Sequence, residues 1–514
     1  MHTILPASTV QADPAMGPAF AASRDRFERL LCRLEGTETC ELTHGELERL
    51  VDVEGRELLR QLVQDHLDLR AQKEVRREDV VGAEEVPRTR VEAGHRRALT
   101  TIFGEVSVER LAYRARGVPN LHPADAVLNL PLEKHSHGLR RLAAIESTRG
   151  SFDEAAAAIT RASGVRVGKR QVEELAAAAA VDVTGYYAAA KPGPSPDTDP
   201  LVLSADGKGV VMRPEGLREA TRRAAASSDH KLATRLSGGE KRNRKRMAEV
   251  GAVYDCSPVP RTPDDIISIP GTQVTSRPRP GPTARGKWLT ASVVESIDEV
   301  ITAVFDEATR RDPQHRRPWV ALVDGNRQQI ERIQAEARRR KVDVTVVIDF
   351  VHVLEYLWKA AWCFFHQGDR AAEAWVAVQA RRILAGNSQQ VAAAIRAKAT
   401  RSRLLPDERR GADVAADYLT NKRTHLDYGH ALRQGWPIAT GVIEGACRHL
   451  VKDRMDVTGA RWSLNGAEAV LRLRALTSSG DFDAYWSYHL ERERRRIHHA
   501  RYANTAFSEF SLAA

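Results

Sequence analysis

Leu201-Val202-Leu203-Ser204-Ala205-Asp206-Gly207-Lys208-Gly209-Val210-Val211-Met212 is an apolar strand with a carboxylate set inside it. An unpartnered carboxylate is very costly to bury, so an acid among strand residues implies a partner. A second stretch of the same kind lies downstream, Trp319-Val320-Ala321-Leu322-Val323-Asp324-Gly325-Asn326. Two strands that each deliver one Asp to a common edge can build a divalent-metal site.

The first strand follows Lys191-Pro192-Gly193-Pro194-Ser195-Pro196-Asp197-Thr198-Asp199-Pro200, the strongest linker signal in the chain. After it the pattern predicts further strands at 248–254, 287–293, 319–324 and 342–348, with helices near 296–311 and 327–340. The order β-β-β-α-β-α-β differs from the strict alternation of a dinucleotide-binding fold. It is the order of a ribonuclease-H-like mixed five-stranded sheet, in which Asp206 and Asp324 stand on neighbouring strands. That fold takes a third carboxylate from a later helix, and Glu444 is the candidate. Glu444, Arg448 and Lys452 are spaced four apart, which places them on one face of a continuous α-helix. The final part of the chain, after Trp436-Pro437, is expected to open such a long helix.

The 514 residues call for several domains. No apolar run is long enough to cross a membrane, and the N-terminus has no secretory pattern, so a cytoplasmic, nucleoid-associated protein is expected. Lysine and arginine exceed aspartate and glutamate by 78 − 68 = 10, a balance that favours a polyanionic partner. Lys241, Arg242, Arg244, Lys245 and Arg246 form a compact cluster expected to hold DNA phosphates; a solvated loop is the plain alternative. Five scattered cysteines form no Cys-x-x-Cys pair, and neither a zinc site nor a disulfide framework follows.

Upstream of the linker the chain reads as a mainly α-helical DNA-binding region with a β-hairpin. Apolar residues recur at helical spacing between Arg24 and Arg77. Residues 97–114 predict a hairpin with Gly104 at the first central position of its turn. Ser151-Phe152-Asp153-Glu154 is a capping box that opens a helix, Gly164 can end it, and a second helix starts near Gly168. This is helix-turn-helix spacing, with Lys169, Arg170 and Gln171 at the leading end of the recognition helix; an ordinary helical hairpin is the alternative.

Several blocks resemble the DDE transposases of bacterial insertion sequences, in particular the ISKra type. They are Ser204-Ala205-Asp206-Gly207-Lys208-Gly209-Val210, Glu240 to Tyr254, Val323-Asp324-Gly325-Asn326, Gly441-Val442-Ile443-Glu444-Gly445 and Arg461 to Glu468. The resemblance spans residues 95–480. It implies that Asp206, Asp324 and Glu444 are catalytic and hold two Mg²⁺ ions, for which Mn²⁺ can substitute. It implies a helical insertion before the Glu helix, and an Asp-x-x-His motif beside the site, matched by Asp349 and His352. Asp349 capping the next helix is the alternative. A basic residue common seven positions after the Glu is replaced here by Val451, with Arg448 or Lys452 as substitutes and Lys208 as a further phosphate contact.

The implied activity is binding of terminal inverted repeats in double-stranded DNA, followed by metal-dependent strand cleavage and strand transfer, with a homodimer or higher assembly in the synaptic complex. A ribonuclease-H-like nuclease without strand transfer, or a DNA-binding regulator with an inert catalytic half, are the alternatives. The expected division is a disordered lead-in (1–20), a helical region (21–95), the hairpin (96–118), the helix-turn-helix region (119–190) and the linker (191–200). The catalytic core (201–350), the helical insertion (351–436), the Glu-helix part of the core (437–480) and a basic exposed tail (481–514) follow.

Overall fold

Among the described residues seven strands carry the architecture: β1 (Arg90–Thr101), β2 (Gly104–Arg114), β3 (Leu201–Val211), β4 (Lys245–Cys256), β5 (Ala284–Ser292), β6 (Trp319–Val323) and β7 (Val344–Ile348). The structure, a computed structural model, describes residues 19–227, 236–271, 277–457 and 459–503; most of the expected lead-in lies outside these. The chain divides into two compact units, one of residues 1–182 with 483–514 and the other of 183–482. No described helix is long and apolar enough to cross a membrane.

In the second unit the five strands lie in the order β5-β4-β3-β6-β7. β3 runs antiparallel to β4 and parallel to β6, and β6 is parallel to β7. The apolar runs explain the placement: every residue of β6 is buried, as befits a strand covered on both faces. Helix Ile297–Arg311 covers the face that carries Ala205, and it lies close. A Cβ on Gly251 would sit 2.7 Å from Val304 and 3.1 Å from Val300, so this β4 position has no room for a side chain. Residues 350–433 fold as helices, as expected of the insertion, and share the apolar core with β6 and β7.

Two expectations about this unit change. β4 begins at Lys245, so the basic cluster runs into a strand rather than forming one loop. No single long helix follows Trp436 either. Gly441–Ala446 is α-helical, Cys447–Lys452 is a π-helix, Asp453–Met455 is a final α turn, and a separate helix spans Leu464–Ser479. Trp462, in the intervening segment, bridges to Met212 and donates its indole N–H to the Met455 carbonyl at 3.0 Å.

The first unit holds helices Ala21–Glu35 and His44–Gln72, the β1–β2 hairpin, and a three-helix cluster. The hairpin forms, with a different turn. Thr101 pairs with Gly104, so Ile102 and Phe103 are the central residues, and Gly104 follows them at φ +127°. That angle, which side chains disfavour, is why glycine stands there. Helix Phe482–Ile497 is no exposed tail: Tyr485, His489 and Glu493 are buried in this unit.

Several histidines of this unit are held neutral. Burial pushes His122 and His498 down to about 4, although His498 contacts the Leu130 carbonyl at 2.8 Å, which opposes the shift. The unfolded chain takes up these protons as pH falls below about 6.5, whereas the folded unit refuses them until about pH 4. Stability is therefore complete above pH 6.5 and declines towards pH 4. Peptide-resolved hydrogen exchange should show residues 119–182 and 483–503 losing protection across that window; constant protection would contradict the assignment.

Candidate metal and nucleic-acid sites

The sheet register brings three acids to one edge. Ser204 pairs with Leu322, and two residues further on stand Asp206 and Asp324. Val323 pairs with Ile348, and the next residues are Asp324 and Asp349. Asp324 and Asp349 thus follow the carboxyl ends of β6 and β7, and Asp206 stands beside them in the middle of β3, just past the point where its parallel pairing with β6 ends. This is the edge where a parallel sheet presents loops and helix starts.

Each acid is held by local backbone. Asp206, half-buried, accepts the Gly207 N–H at 2.7 Å, and its other oxygen accepts the Cys447 thiol at 3.3 Å. Lys208 is exposed on the same strand. Asp324 accepts the Asn326 N–H at 2.7 Å, while Asn326 caps helix Arg327–Arg340. Gly325, at φ +95°, permits that turn. Asp349 caps the next helix, one of its two alternatives. One oxygen caps helix Phe350–Ala361 through the Val351 N–H at 2.9 Å; the other faces Thr440 and His352.

Glu444 reaches this edge from above the sheet. Its helix and the π-helical turn after it pack on β3 and β4, which explains why Cys447, three residues on, meets Asp206. Thr440 Oγ1 lies 2.8 Å from Glu444 Oε1 and 2.5 Å from Asp349 Oδ2. A hydroxyl has one proton, so it can donate to only one of these oxygens. His352 Nδ1 stands 3.3 Å from the same Asp349 oxygen. Asp349, His352 and Glu444 each offer a ligand atom, all within 4.8 Å of one another, and they are the metal-competent group found among the described residues. Asp206 and Asp324 stand outside that close group, each turned to its own backbone donor.

The π-helix alters the expected cationic face. Its hydrogen bonds span five residues, so a four-residue step no longer completes one turn. Arg448 and Lys452 are both exposed, and Arg448 lies 3.9 Å from Asp453. Val451 is buried, which accounts for an apolar residue there.

Thr440, Cys447 and Glu249 escaped the sequence reading. Glu249 lies opposite Gly207 in the register. Burial raises its carboxyl above the usual range, Arg218 opposes that, and the Asp206 charge adds to it. Burial, then Asp206, also raises the Cys447 thiol, which is therefore a neutral donor. The spacing of Thr440 and Cys447, four before and three after Glu444, was the available signal.

The basic cluster divides. Arg242 and Lys245 are exposed and Lys241 is half-exposed. Arg244 is buried, and Arg246 donates to the Gly216 and Val293 carbonyls. These two arginines are structural: Arg246 turns inward within β4, and Arg244 is buried in the turn just before it.

In the first unit the helix-turn-helix spacing is realised. Helix Phe152–Ser163 ends at Gly164 (φ +73°), helix Lys169–Ala179 follows, and both pack with His137–Arg149 around Leu139, Ile159, Val172 and Leu175. Lys169 and Arg170 are exposed, paired with Asp153 at 2.5 Å and Glu174 at 3.0 Å. Gln171 is half-buried and caps its own helix, accepting the Gly168 N–H at 3.2 Å, so it is not simply outward-facing.

The sequence matches no model of a known protein family and no curated protein.

Proposed function

We propose that this protein is a DNA transposase of the DDE type, with a ribonuclease-H-like catalytic unit. The observation that carries the reading is the register that sets Asp206, Asp324 and Asp349 side by side on adjacent strands, with Glu444 closing over them. The first unit would bind terminal inverted repeats. The second would cleave the strand at the element end and transfer the freed 3′-hydroxyl to target DNA, in an assembly of at least two copies.

Asp206, Asp324 and Glu444 would hold the divalent ions. The donor set fits Mg²⁺ or Mn²⁺: all ligands are carboxylate oxygens, and one oxygen each of Asp324 and Glu444 has no protein donor among the described residues. When bound, a pair of such ions neutralises charge at the attacking and leaving oxygens of a phosphodiester. The chain's own groups do the rest. Thr440 stands between the Asp349 and Glu444 carboxylates and can donate to either, and Lys208, Arg448 and Lys452 are exposed cations for backbone phosphates. Arg242 and Lys245 extend the phosphate contacts.

The test is incubation of the purified protein with Mg²⁺ and DNA bearing the inverted repeats that flank its gene. Cleavage with joined products is expected. Cleavage without joining would favour a plain nuclease, and no cleavage with either Mg²⁺ or Mn²⁺ would favour a regulator. For the DNA-binding unit, Lys169→Ala with Arg170→Ala should weaken repeat binding and reduce the slope of log affinity against log salt by about 2. An unchanged slope would remove the helix Lys169–Ala179 from the interface.

A further inference from the structure

Tyr418 sits in the helical insertion, on helix Pro406–Asn421, yet its phenol reaches the strand edge that carries the acids. A Cβ placed on Gly325 would lie 2.5 Å from Tyr418 Oη, so the hydroxyl stands against the residue next to Asp324. That oxygen is buried and has no hydrogen-bond partner among the described residues. The ring has little freedom. It stacks on Tyr356 at 3.8 Å and 14°, and Lys359 Nζ lies 4.3 Å from the outer Tyr356 face. Tyr356 belongs to the helix that Asp349 caps, so the stack is anchored to the end of β7. Buried hydroxyls without partners are rare and costly, and a rigid one beside functional groups needs an explanation.

Asp324 supplies it. Its Oδ1 is engaged by the Asn326 N–H, and its Oδ2 has no protein donor among the described residues. We infer that Tyr418 is a positioning residue for Asp324: its hydroxyl donates to the Asp324 carboxylate when a divalent cation draws that side chain into the site. The helical insertion would then sense whether the site is filled. This rests on the metal-binding reading above.

The arrangement has a consequence that an ordinary packing role lacks. A donor unsatisfied in the empty site is a burden there and an asset only in the filled one. Tyr418→Phe should leave the melting temperature in EDTA unchanged or slightly higher. The Mn²⁺ concentration for half-maximal thermal stabilisation should rise about tenfold, the loss expected for a hydrogen bond to a charged group. Asp324→Asn should abolish most of the stabilisation in both backgrounds. A Tyr418→Phe protein that melts several degrees lower in EDTA would show a structural hydroxyl and overturn the inference. So would an Mn²⁺ midpoint equal to that of the wild type. If the wild type itself gains no stability from Mn²⁺ or Mg²⁺, the metal reading fails, and this inference with it.

Discussion

Asp206→Asn is expected to lower Mg²⁺-dependent cleavage of repeat-bearing DNA by about a thousandfold or more. Divalent ions stabilise the transition state for phosphodiester cleavage by several kcal/mol, and about 4 kcal/mol corresponds to a factor of a thousand. The substitution removes the charge that would hold the ion and little else. An amide oxygen can still accept the Gly207 N–H, and the volume is unchanged. The thiol contact from Cys447 weakens, but a repulsion is relieved, because Glu249 senses the Asp206 charge. The melting temperature in EDTA should therefore stay within a degree or two of the wild type. Loss of cleavage with unchanged melting assigns Asp206 to chemistry. Full cleavage by this variant would sink the site assignment, whatever the fate of Asp324→Asn and Glu444→Gln.

Arg140→Ala should destabilise the first unit by about 3–5 kcal/mol, the cost of leaving a buried charge without its partner. Arg140 is 1% exposed and donates to Glu493 at 2.7 Å. Burial raises the Glu493 carboxyl, and the Arg140 hydrogen bond and charge more than reverse that, so the group is held below its usual range. His137 faces the same pair, at 3.3 Å from Arg140. Further along the C-terminal helix, Asp182 accepts His489 at 2.7 Å and Arg496 at 2.6 Å. Without Arg140 the Glu493 carboxylate must protonate or draw in water, and either outcome loosens helix Phe482–Ile497. Urea denaturation measures the loss. Replacing both partners with apolar residues, Arg140→Met with Glu493→Leu, should recover much of it, because no orphan charge then remains. A single-variant loss below about 1 kcal/mol would mean that water already reaches the pair.

The legible parts of this protein were those written in local pattern. The apolar run Leu201–Val211 and the fully buried Trp319–Val323 read as strands because their periodicity is set by residues next to one another. Ser151 and Glu154 read as a helix start because a cap is a bond between residues three apart. The helix-turn-helix spacing was visible for the same reason. Gly104 misled because several hairpin turns need a positive φ near that position, and only the pairing of Thr101 with Gly104 chooses among them. The basic cluster misled because charge is visible in sequence while direction is not. Once Lys245 and Arg246 join β4, alternation decides which side chain meets water.

By itself the sequence determined which acids were available, Asp206, Asp324, Asp349 and Glu444, and the strand and helix ends on which they stand. Only the tertiary structure decided how they meet. Parallel pairing of β3, β6 and β7 puts three of them at one edge, and the hydroxyl of Thr440, 91 residues on from Asp349, lies between Asp349 and Glu444. Tyr418 enters from the helical insertion, from a position that no local pattern ties to Asp324. The physical reason is one of range. Backbone propensity and capping act over a few residues, whereas strand register and the packing of a helix over a sheet are set by side chains far apart in sequence. The acid that opened the reading, Asp206, was recognisable from its apolar neighbours; its partner, the Cys447 thiol, was not.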